Sequence, residues 1–209
     1  MEDRNEQSVE QPAEKRKVRR RGVGDAEVDR HRPASCWGCG AASRPSGGRI
    51  QVQGHGTRPR GLQGPREPDG RPQTWDVVVR RYLCVVCDLT MSVFPPGVVH
   101  RRRYGATAIA YALALFGLEK WSHQAVRDAV GVHGAARAPG EKQRWAALVL
   151  WSRAAREGLL LDGASRTVGT LREAAARMAT TIAGYGPRLD DQLQRIWEGA
   201  LGAPWRGTS

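Results

Sequence analysis

The chain has 209 residues and a net charge of +12, from 33 Lys and Arg against 21 Asp and Glu, with arginine far ahead of lysine. No apolar run approaches the roughly 20 residues needed to cross a bilayer, so the composition excludes a helical membrane protein, and a basic excess of this size favours a polyanionic partner. The charge is uneven: residues 36–105 hold 11 basic against 4 acidic side chains, while residues 1–35 hold 9 against 8.

Residues 1–35 have almost no large apolar side chain and are expected to be a disordered, mixed-charge tail, because they cannot bury enough surface to offset chain entropy. Within them, Lys15-Arg16-Lys17-Val18-Arg19-Arg20-Arg21 reads either as a nucleic-acid arm or as a solvated charge run. No signal peptide opens the chain, so a reducing, cytoplasmic setting is expected.

The four cysteines form two short pairs, Cys36-Trp37-Gly38-Cys39 and Cys84-Val85-Val86-Cys87. A Cys-x-x-Cys turn puts two sulfurs on one side of a tight loop, and two such turns complete a tetrahedral Cys₄ site for Zn²⁺. Gly40 suits the left-handed backbone such a turn requires, and Asp88 is the poorer counterpart after the second pair. Paired disulfides are disfavoured in a reducing compartment. A thioredoxin-type redox motif would need a βαβ context that neither pair has. Four thiolates leave no open position for water, so the expected metal is structural.

Ile50 and Val52 alternate with glutamines as in a short strand, and residues 54–73, with repeated Gly and Pro, read as a flexible loop. The β-branched and aromatic run from Thr74 to Leu83 predicts a second strand, and Thr90–Phe94 a third, stopped by Pro95-Pro96. This is the order of a zinc ribbon. The expected domains are therefore residues 1–35, a ribbon over 36–105, and a helical domain over 106–209, giving an α+β chain.

Ala106–Phe116 predicts a helix ended by Gly117, and Ser122 caps a second helix running to Val130, with Trp121 and Val126 as its staple. Two helices joined by a short connection suit a helix-turn-helix. Longer helices are expected over 141–157 and from the capping box Thr170–Glu173 through Tyr185, and a last one over 189–201. Trp145, Trp151 and Trp197 fall in helical patterns and are expected in the core, whereas Trp37 and Trp75 are expected to pack around the metal.

The stretch from Arg80 to Pro96, Arg-Arg-Tyr-Leu-Cys-Val-Val-Cys-Asp-Leu-Thr-Met-Ser-Val-Phe-Pro-Pro, followed by Arg101-Arg102-Arg103-Tyr104, resembles the zinc-ribbon heads of bacterial transposases and transposase-related proteins. The likeness covers roughly residues 36–130. It implies a DNA-binding or helper role, with a possible protein partner from a mobile element. The chain departs from that pattern at Trp37, where Pro is common, and at Asp88, where Gly is usual. A full transposase also carries a ribonuclease-H-like domain. Residues 106–209 read as helices with only nine acidic side chains, so no enzymatic activity is expected.

The expected phosphate contacts are Arg80, Arg81, Arg101, Arg102 and Arg103, since guanidinium forks match phosphate oxygens. His123, Gln124 and Arg127 share the polar face of the second short helix and are the candidates for reading bases in double-stranded DNA. Lys142, Gln143 and Arg144 compete for that role. His55, in the Gly-rich loop, could replace a cysteine ligand but is not needed while four thiolates are available, and His31, His100 and His133 have no partner spacing. The alternative functions are an RNA-binding or protein-bridging ribbon, and a truncated or divergent transposase.

Overall fold

The computed structural model describes residues 30–132 and 145–206. The basic run at 15–21, His133 and the Lys142–Arg144 candidates lie outside the described residues, as does nearly all of the expected tail. The chain divides into two units, Met1–His31 and Arg32–Ser209, and every element below belongs to the second.

Among the described residues the architecture is α+β, with a three-stranded antiparallel sheet followed by five helices. The strands are β1 (Val52–Gly64), β2 (Gln73–Cys84) and β3 (Thr90–Val93), in the order β1-β2-β3. The helices are α1 (Ala106–Gly117), α2 (His123–Val130), α3 (Ala146–Arg156), α4 (Leu171–Ala183) and α5 (Gln192–Gly202).

The expected flexible loop at 54–73 is half strand. β1 runs through Gly54, Gly56, Pro59 and Gly61, pairing residue by residue with β2 from Thr57↔Arg80 to Gly64↔Gln73, after a register shift between Gly54 and Thr57. Pairing with the β-branched run of β2 overrides the local composition. Pro59 fits because β1 is an edge strand, where alternate N–H groups face away from the ladder.

The sheet is covered on opposite faces at its two ends. Near the cysteines, Val52, Tyr82, Cys84 and Met91 are buried and share one face, as the pairs Val52↔Cys84 and Tyr82↔Met91 require. At the far end the buried pair member is Leu62, opposite Trp75, on the other face. Trp75 there lines a hollow with Leu62, Pro96, Trp197 and Leu201, so it packs toward the helices and not around the metal site as expected. Nine residues of strand, about 30 Å, separate it from Cys84.

α1 is apolar all round and is buried along nearly its whole length. α2, α3, α4 and α5 pack around it. The core cluster is drawn from Val99 and from residues 106 onward, with no strand residue among its members. Trp151 and Trp197 are buried in it and Trp145 packs half-buried against it, as expected. Two side chains the sequence does not single out fasten the scaffold. Arg172 of α4 donates to the carbonyls of Phe116 (2.7 Å) and Trp121 (3.2 Å) and lies 4.2 Å over the Phe116 ring, which locks the α1–α2 turn. Tyr111 of α1 donates to Asp69 Oδ1 at 2.5 Å, which ties the β1–β2 connection to the helices. Burial and the Asp69 carboxylate push the Tyr111 hydroxyl well above its ordinary range.

The caps are as expected at Ser122, whose hydroxyl accepts from Ala125 N, and at Thr170–Glu173, where both capping-box bonds are made. The last two helix ends differ from expectation. α4 stops at Ala183, which leaves Tyr185 half exposed, and α5 begins after Asp191, whose carboxylate accepts from Gln194 N. Leu189 therefore lies outside α5, and a true cap two residues on outweighs the apolar spacing.

Gly64 sits at φ 128°, and a Cβ there would lie 2.4 Å from the Ala108 side chain. Gly64→Ala is expected to lower the unfolding free energy by about 2 kcal/mol in urea titration. Gly61→Ala, where the nearest atom is at 3.7 Å, should leave the midpoint unchanged or slightly raised.

Candidate metal centre and basic surface

The β1–β2 pairing brings the two cysteine turns together. Cys36 and Cys84 are buried, Cys39 and Cys87 exposed, and the four sulfurs all lie within 4.8 Å of one another. Across the turns, Cys36 Sγ is 3.6 Å from Cys87 Sγ and Cys39 Sγ is 3.7 Å from Cys84 Sγ. A tetrahedron of thiolates at about 2.3 Å from a zinc ion has sulfur–sulfur edges of about 3.8 Å, whereas a disulfide needs about 2.05 Å. The spacing fits a shared metal ion.

Backbone geometry explains how the turns form. Gly40 has φ 71° and Asp88 φ 58°, the left-handed conformation expected after each pair. Gly40 N donates to the Cys36 carbonyl at 2.9 Å, and Cys84 N to that of Leu89 at 3.0 Å. Gly38 N points at Cys36 Sγ at 3.4 Å, and Trp37 N at Met91 Sδ at 3.4 Å. Arg32 donates to the Val52 carbonyl and fastens the first turn to β1. Trp37 itself is 52 % exposed, contrary to expectation, and forms with Val85, Val86 and Leu89 an uncovered apolar rim at the cysteine turns.

The N–H groups of Cys39 and Gly38 help hold the Cys36 thiol down to about 6, against the effect of burial. At Cys87 the Leu89 N–H also lowers the thiol. The hydrogen bond shared with Cys39, burial, and the bonds shared with Cys36 and Cys84 together outweigh it and push the group up to about 12.

The expected phosphate contacts do not lie on one surface. Successive strand residues point to opposite faces, so Arg81, paired with Ser92, shares a face with Val79, Arg58 and Arg60. Arg80, paired with Val93 and Thr57, faces the other way. Arg60 was not singled out by its sequence context. Its Nη2 donates to the carbonyls of Val99 (3.1 Å) and Arg102 (2.7 Å), and its guanidinium lies 5.1 Å over the Phe94 ring. Gln63 N donates to the Arg103 carbonyl at 2.8 Å. The turn carrying Arg101, Arg102 and Arg103 is thus pinned to β1 by its backbone, with Arg101 at φ 56° and Arg101 and Arg103 exposed.

The α2 residues separate. His123 is half-buried, with its ring 4.8 Å from that of Phe116, so it does not belong to an exposed face as expected. Gln124 is exposed and its amide donates to Asp128 Oδ1 at 2.7 Å. Arg127 is half-buried and acts, with Arg103, on the Tyr104 hydroxyl. Burial raises that hydroxyl, and the two guanidiniums oppose the rise. Arg103 and Arg127, 24 positions apart in sequence, thus act on the same hydroxyl.

One metal ion per chain is expected on elemental analysis, and Cys84→Ser should lose it. The core cluster contains none of the cysteines, so the helical far-ultraviolet circular dichroism should persist in that variant. Protons compete with the metal for thiolates, so acidification should release it, as read by a chromogenic chelator.

Searches of protein-family models, curated proteins and solved structures returned no match to this chain.

Proposed function

We propose that this chain is a zinc-dependent DNA-binding protein, a Cys₄ zinc ribbon joined to a helix-turn-helix-like helical module, related to transposase N-terminal regions and without a catalytic domain of its own. The observation that carries the reading is the gathering of Arg58, Arg60, Arg81 and the Arg101–Arg103 turn onto one side of the sheet that holds the four thiols. Four thiolates suit Zn²⁺ over harder cations, which prefer oxygen. Several guanidiniums on one surface suit a run of phosphates.

In this reading the protein holds the duplex mainly by its backbone. Asp128 stands beside Gln124 on the outer face of α2, and a carboxylate there opposes close approach to phosphate. Arg127 supplies a cation on that helix itself. Catalysis is left out, because ribonuclease-H-like chemistry needs carboxylates at strand ends, and the elements described after residue 105 are helices. A protein-bridging role draws support from a different observation, the uncovered rim of Trp37, Val85, Val86 and Leu89.

Duplex binding is expected to weaken with salt, by a slope of about 0.9 per phosphate contact on a log–log plot. Arg81→Ala should flatten that slope by about one contact, whereas Arg80→Ala, on the other face, should leave it unchanged. Replacing Arg101, Arg102 and Arg103 together should weaken preferred and random duplexes alike. A slope indifferent to Arg81 and to the triple change would remove DNA from this surface. Tighter, less salt-dependent binding to single-stranded RNA would favour the RNA alternative.

A further inference from the structure

The segment after β3 folds back over β1 and brings His100 into the basic surface. His100 packs edge-on against Phe94, with ring centroids 5.5 Å apart, and the Arg60 guanidinium lies 5.1 Å over that same ring. Arg60 also bonds the carbonyls of Val99 and Arg102, the residues bracketing His100 and Arg101. Arg58, two positions before Arg60 on the same strand face, adds its charge to that of Arg60. Arg60 and His100 are thus held on one ring by a fixed backbone, with Arg101 next to His100 in the chain and Arg58 on the same strand face as Arg60.

The charges acting on His100 are of one sign. Desolvation, then Arg101 and Arg60, hold its imidazolium below its ordinary range, and desolvation and Arg58 likewise lower Arg60. The segment's own Arg102 adds a further cation nearby. Asp76, the carboxylate of β2, occupies a register position opposite Gly61, so its side chain leaves by the other face of the sheet. Phe94, the residue after β3, brings an uncharged ring to this corner. Like charges held together in this way are relieved by an anion, and guanidinium forks select a phosphoryl group.

We infer that Arg58, Arg60, His100 and Arg101 form a corner that grips one backbone phosphate of nucleic acid, and that His100 takes up a proton as the phosphate arrives. The inference rests on the proposed DNA-binding reading and adds a residue and a proton to it. A phosphodiester stays ionised throughout the neutral range, so the proton goes to the imidazole. The sign follows: a phosphate raises the pKa of His100 in the complex above its value in the free protein. Binding is therefore tighter at low pH, and the advantage is lost as pH rises through the window between the two values.

The test uses the full, metal-loaded chain and a fluorescent random-sequence duplex at fixed ionic strength, from about pH 6 to about pH 8, with metal content checked at each pH. Wild-type affinity is expected to fall about tenfold across that range, as one linked proton allows. His100→Gln should abolish this dependence and bind at every pH with the wild type's high-pH affinity. His100→Lys, charged throughout, should hold the low-pH affinity. A flat wild-type profile, or the same slope in His100→Gln, would overturn the inference while leaving DNA binding intact. Absence of duplex binding at any pH would instead overturn the underlying reading. Inorganic phosphate alone shifting the His100 ring-proton titration as far as the duplex does would assign the corner to free phosphate and overturn the nucleic-acid assignment.

Discussion

Four thiolates within 4.8 Å of one another would repel, and a shared cation relieves that repulsion. The two turns that carry them are separated by residues 40–83, so the chain must fold out and back to bring them together. The β1–β2 hairpin does this. Its register sets Val52 opposite Cys84, and from there Gln51 accepts from Val85 N, which places the second turn beside the first. The sheet, its two differently covered ends and the turn pinned by Arg60 all follow from the need to hold those four groups in one place.

The helices answer to a different constraint. α1 has no polar face, so it needs neighbours on every side, and α2 to α5 supply them. The two systems meet where Gly64 touches Ala108 and where Asp69 accepts from Tyr111, both on the β1–β2 hairpin. The same hairpin that assembles the thiols at one end is therefore moored to α1 at the other, and this fixes where the arginines of its middle stand relative to α2.

Features set by a few neighbouring residues were legible in the sequence. The cysteine turns with Gly40 and Asp88, the Ser122 cap and the Thr170–Glu173 box depend on backbone within one turn, and they stand where expected. Features set by pairing across the fold were not. Gly54, Gly56 and Pro59 read as loop because nothing local reveals the β2 partner that makes them strand. Arg80 and Arg81 looked like one patch because adjacency in sequence hides the alternation of a strand. Arg60 and His100 meet only because residues 40 positions apart share the Phe94 ring, and no motif marks that encounter. At α5 two local signals compete: Leu189 continues the apolar spacing, and the Asp191 cap decides where the helix starts.

The irregular composition of β1 has one more effect. β1 is an outer strand, and its free edge would offer a template to any other extended chain. Along that edge stand Pro59, which has no N–H to donate, the register shift between Gly54 and Thr57, and the charged Arg58. Each discourages a further strand from docking, by removing a donor, bending the ladder or placing a charge where an incoming chain would have to lie flat. The residues that make β1 look like a loop thus guard the outer edge of a long hairpin against a further strand while its inner edge pairs with β2 on either side of the register shift.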